Sequence, residues 1–186
     1  MLRPASFLAF SLLAGTALLV APALAAPLRD AASGLAVNPP PGYVAKAEDP
    51  GQRNAARFSI QRPGEQETGC QVAFTPAAQN ANLTQAQINA AMSQPHWQEA
   101  ARSALGPVYD ITSAGTADYG SLRALVMVGD IKPRPQLPAR AAQIRTYFTI
   151  LETPRGRTSM VCVADKADFN TRLPEFEMTA RGITAP

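Results

Sequence analysis

The sequence predicts an α+β fold, a single antiparallel sheet with helices packed on its faces in an α/β sandwich. Three observations predict it. Short runs of alternating apolar and polar residues, separated by Pro and Gly turns, read as strands joined by tight connections. Two stretches, 82–105 and 169–183, instead repeat their apolar residues every three or four positions, the helical period. These helical stretches stand before and after the longest strand run, where they can cover the faces of one sheet.

Taken in order, 26–34 is small and polar and reads as a flexible arm. Gly34-Leu35-Ala36-Val37-Asn38 forms a short strand stopped by Pro39-Pro40-Pro41-Gly42, because proline cannot donate to a ladder. Tyr43 to Ala47 and Ala56 to Gln61 follow as strands, the second with Phe58 and Ile60 on one face. Cys70, Val72 and Phe74 share a face of the next. In the helical region Asn82 and Ser93 are candidate caps, Pro95 is tolerated near a helix start, and Trp97, Ala101 and Leu105 form one apolar stripe. Gly106-Pro107 ends it as a left-handed cap followed by a residue that cannot continue.

Val108–Tyr119 is extended, with a bulge expected near Gly115. Leu122–Val128 is apolar at nearly every position, as in a strand covered on both faces. The strand 142–152 turns at Thr153-Pro154-Arg155-Gly156 into Thr158–Ala164. Phe169, Leu173, Phe176, Ala180 and Ile183 make the clearest helical stripe, with Pro174 expected to start a new helix within it.

This order resembles the PsbP-like sandwiches, the group that includes the photosystem II extrinsic protein. The resemblance is carried by the early strand running into Pro39-Pro40-Pro41-Gly42-Tyr43, the middle helices, and the closing pattern from Tyr147 through Cys162 to Phe169 and Phe176. It implies a binding or assembly module and designates no catalytic residue.

The front of the chain has a secretory layout. Arg3 supplies the positive charge, an apolar run extends from Phe7 to Val20, and Ala23-Leu24-Ala25 offers small residues to a signal peptidase. We expect a signal peptide over 1–25, a mature start at Ala26, and one domain over 35–186. No later apolar run is long enough to span a bilayer, so no transmembrane segment is expected in the mature chain. Together with the Ala-, Pro- and Arg-rich usage, this favours a periplasmic protein.

Removing Arg3 from the 17 basic side chains leaves 16 against 14 acidic ones. That near-neutral balance, with few aromatics, argues against nucleic acid as a partner. Cys70 and Cys162, the only cysteines, lie in strand-like segments of a chain bound for an oxidising compartment, which favours a structural disulfide over buried thiols or a reactive cysteine. His96, the only histidine, lacks the partners of a zinc site or a catalytic base and reads as a polar residue at a helix start. Gly115 and Gly120 lack the Lys-Ser/Thr of a phosphate loop. No cofactor is expected.

One cationic feature stands out. Lys132, Arg134 and Arg140 occupy a Pro-rich run without an acidic residue, Arg145 follows, and Arg155 and Arg157 mark the next hairpin tip. Converging, Lys132, Arg134, Arg140, Arg155 and Arg157 would attract an anionic envelope component or an acidic protein patch; otherwise they only solvate a connection. The sequence therefore points to a non-enzymatic binding or assembly module of the cell envelope, against the rival of a small hydrolase or redox enzyme using His96 or Cys162.

Overall fold

The computed structural model describes residues 27–186, so the signal peptide expected over 1–25 lies outside the described residues. The chain runs β1 (Leu28–Arg29), β2 (Ala36–Val37), β3 (Val44–Ala47), β4 (Ala56–Gln61), β5 (Gly69–Pro76), α1 (Gln85–Met92), α2 (Pro95–Leu105) and β6 (Tyr109–Tyr119). It continues through β7 (Leu122–Ile131), β8 (Ile144–Thr153), β9 (Gly156–Asp165), α3 (Phe169–Arg181) and β10 (Ile183–Thr184).

Seven strands form one antiparallel sheet in the order β3-β4-β5-β9-β8-β7-β6. The expected single sheet needs one correction: β1, β2 and β10 make a second, three-stranded antiparallel sheet. The segment 26–34, expected as a flexible arm, therefore enters the fold at Leu28, which pairs with Val37. Strands of two residues are too short to show an alternating pattern, and only their partners define them. Gly182 lets the end of α3 approach β2, since a Cβ there would stand 2.2 Å from the Asn38 carbonyl oxygen.

The pleat sends alternate side chains to two cores. On one face Phe58, Ile60, Cys70, Val72, Phe74, Tyr147, Met160 and Cys162 pack against Phe169, Phe176 and Ala180 of α3. On the other, Leu125, Met127 and Phe148 pack against Ile88 and Met92 of α1, with Trp97, Ala101 and Leu105 of α2 half-buried beside them. β7 contributes to both cores, as its nearly unbroken apolar sequence requires.

Cys70 and Cys162 face each other across β5 and β9, and the expected disulfide joins them with Cα atoms 3.9 Å apart. By restricting the unfolded chain over a separation of 92 residues, the bond contributes roughly 4–5 kcal/mol in the chain-entropy account.

Several boundaries differ from expectation for local reasons. Thr84, and not Asn82, caps α1, in a capping box with Gln87. Gln94 holds the N-cap position of α2, with Pro95 in the first turn. Gly106 ends α2 in the right-handed region, at φ −53°, and not as a left-handed cap. The β6 bulge falls at Thr112, between Ile111 and Ser113, where the Thr112 hydroxyl donates to the Val128 carbonyl at 3.2 Å. Pro174 lies inside α3 and starts no new helix; the buried Phe169, Phe176 and Ala180 hold the helix to the sheet on both sides of it.

Candidate functional site

β8 separates the expected cationic residues. Lys132, Arg134 and Arg140 precede its first residue, Ile144, and Arg155 follows its last, Thr153. Ten residues place these ends about 30 Å apart. The five side chains do not converge.

All but Arg155 have local partners instead. Lys132 Nζ donates to the Gly106 carbonyl at 2.7 Å and Arg134 to that of Pro107, so both cap the C-terminus of α2, where positive charge is favoured. Arg140 pairs with Glu67 and with Asp165 on β9. Arg145 holds Asp130 in a two-bond fork at 2.9 and 3.0 Å. Arg157 pairs with the buried Glu152. Arg155 is exposed at the hairpin tip, with no carboxylate at ion-pair distance among the described residues.

His96 is exposed in the first turn of α2 beside Trp97, with ring centroids 6.3 Å apart. Cys162 is fully buried and bonded to Cys70, so it offers no thiol for the redox chemistry considered above.

The densest polar cluster joins α3 to the β2–β3 and β4–β5 connections. Arg172 Nη2 donates to the Tyr43 hydroxyl at 2.8 Å and to Glu65 Oε2 at 3.1 Å, and its Nε lies 2.9 Å from Glu175 Oε2. The Tyr43 hydroxyl donates to Glu175 at 2.5 Å, and Arg62 pairs with the same carboxylate. The Arg172 guanidinium also stands 5.7 and 5.8 Å from the centroids of the Tyr43 and Phe176 rings. Burial, with Glu175 accepting its proton, pushes the Tyr43 phenol up to about 12. Burial alone would raise Glu65, but hydrogen bonds from Thr68 and Arg172 outweigh it and hold the carboxyl below its ordinary range. With two cations and two carboxylates the cluster is balanced, and it acts as a clamp.

A cleft of about 400 Å³ opens on the α3 face, where α3 covers β8 and β9 and leaves β6 and β7 partly bare. Ser113, Gly115 and Ala117 of β6 and Val126 and Val128 of β7 form its floor. Leu173, Glu177 and Arg181, spaced four residues apart on α3, form one wall. At its base the Tyr119 and Tyr147 hydroxyls lie 3.1 Å apart. Burial and that hydrogen bond raise the Tyr119 phenol well above its ordinary value, so it stays neutral. Such a surface can seat an apolar group and exchange hydrogen bonds with a polar group beside it.

No family model matches the chain, and no curated protein matches it in sequence. Among solved structures it is similar to the solution structure of cyanobacterial PsbP (CyanoP) from Synechocystis sp. PCC 6803, with a TM-score of 0.57 over 94% of this chain and 99% of that one. The fold is PsbP-like. Sequence identity is 9%, so the likeness is one of architecture.

Within this PsbP-like frame the sequence reading missed the clamp and the cleft. Arg172 had a signal, as a charged residue within the apolar stripe of α3 between Phe169 and Phe176. The cleft had none, because its residues come from β6, β7, β8 and α3 and meet only in the fold.

Proposed function

We propose that this protein is an exported, non-enzymatic binding or assembly module of the bacterial cell envelope, and that its partner is another envelope protein seated in the α3 cleft. The cleft carries the reading: a small-residue floor beside an edge strand, with a neutral tyrosine hydroxyl at its base, is suited to holding a side chain. The architecture shared with cyanobacterial PsbP supports it. So does the disulfide, a bond characteristic of oxidising compartments. Among the described residues no helix is long and apolar enough to cross a membrane.

Two measurements test the proposal. Intact mass of the native protein should show a chain beginning at Ala26 in the periplasmic fraction; a retained Met1 in membranes overturns export. A photo-crosslinking residue at Glu177, on the α3 wall of the cleft, should give one discrete adduct with a different protein in cells, and the same residue at Lys46, on the opposite sheet face, should give none. Adducts from both positions, or from neither, overturn the site.

A further inference from the structure

Among the described residues the outer side of β6 pairs with no strand. This edge is long, at eleven residues, and contains neither proline nor lysine, the residues that commonly guard exposed edges. Its bulge at Thr112 leaves Ser113–Tyr119 as an unbroken, regular ladder against β7, and the one charge of that stretch, Asp118, is paired with Arg123.

The helix above this edge is incompletely covered. α1 buries Ile88 and Met92, and α3 buries Phe169, Phe176 and Ala180. α2 buries no residue fully, although Trp97, Ala101 and Leu105 line one side of it. α2 lies over β6, the last strand, so no sheet continues beneath its outer side. Val108, at the start of the same edge, is 39% exposed.

We propose that a second copy of this chain pairs here, β6 against β6, across a two-fold axis at Thr116. Antiparallel pairing about that point sets Gly115 against Ala117 of the second copy, Ala114 against Asp118, Ser113 against Tyr119, and Thr116 against itself. Residues on both faces are then small or polar, and no like charges oppose each other. A register centred on Ala114 is disfavoured, since Asp110 would face Asp118 of the other copy. The same axis brings the two α2 helices together on one side of the joined sheet, where each offers the other the apolar stripe its own sheet leaves half-covered. An isologous contact of this kind closes on itself and forms a dimer, not a fibre.

Sedimentation equilibrium of the purified protein should show a concentration-dependent monomer–dimer equilibrium. Thr116 is exposed, so Thr116→Lys leaves the monomer folded, checked by an unchanged circular-dichroism spectrum. It places two lysines on the axis and should raise the dimer dissociation constant by about tenfold or more. Because the native cysteines are bonded to each other, Thr116→Cys adds a lone thiol that should form a disulfide-linked dimer under mild oxidation; Ser113→Cys, which faces Tyr119, should not. A protein monomeric at every concentration overturns the proposal. So does a dimer indifferent to Thr116→Lys, or one crosslinked through Ser113→Cys and not Thr116→Cys.

Discussion

Arg172 shows how one side chain can organise distant parts of a chain. Its residue is 8% exposed, its Nη2 donates to Tyr43 and Glu65 from two distant segments, and its Nε lies at ion-pair distance from Glu175 on its own helix. Replacing it with leucine keeps much of the volume and leaves Arg62 alone to balance both partly buried carboxylates. We expect Arg172→Leu to lower unfolding stability by about 3 kcal/mol, measured by urea denaturation, because breaking a buried pair strands the remaining charge. Arg172→Lys should recover only part of the loss, since an ammonium cannot reproduce the guanidinium fork. Equal stability of Arg172→Leu and the native protein would show that the clamp contributes nothing net. Lys132, Arg134, Arg140 and Arg157 teach the complementary lesson: their charge is visible in the sequence, but their partners, the Gly106 and Pro107 carbonyls and Glu67, Asp165 and Glu152, are not.

The helices differ in what holds them. α1 has eight residues, too few to persist alone, and depends on Ile88 and Met92 packing on β7 and β8 and on its capping box. Thr84→Ala removes the side-chain acceptor for the Gln87 amide and should cost about 1 kcal/mol. Thr84→Ser should restore it, with both read as shifts in the denaturation midpoint. α3 tolerates Pro174 because its buried face, and not its unbroken ladder, secures it. Among the strands, β4 occupies the very residues that the alternation of Phe58 and Ile60 marked, Ala56–Gln61. The bulge of β6 did not fall where Gly115 suggested, because a bulge is set by register against a neighbour, here at Val128 and Gly129 of β7, and not by one strand alone.

For the whole molecule, stability should depend on pH at both extremes. Hydrogen bonds from Thr68 and Arg172 depress Glu65 against the opposing effect of burial, and those from Arg145 and Lys166 depress Asp130. Both contribute stability that is present above the unfolded carboxylate range of about 4 and is lost as pH falls through their lower folded values. Tyr43 acts at the other extreme: its phenol, raised from 10.0 to about 12, contributes stability present below 10 that is lost as pH rises toward 12. Chemical denaturation across pH should show both limbs, and the Glu65→Gln, Asp130→Asn double variant should flatten the acid one; an unchanged acid limb would contradict the assignment. The sequence by itself determined the α+β class, the principal strands and helices and the PsbP-like order, because alternation, helical spacing and Pro-Gly punctuation are local signals. It also led to the Cys70–Cys162 bond, through compartment and the absence of competing cysteines. Only the tertiary structure decided the second sheet, the Arg172 clamp, the separation of the cationic residues along β8 and the cleft beside the β6 edge. Each of these depends on which distant segments become neighbours, and that is settled by the burial of the whole chain.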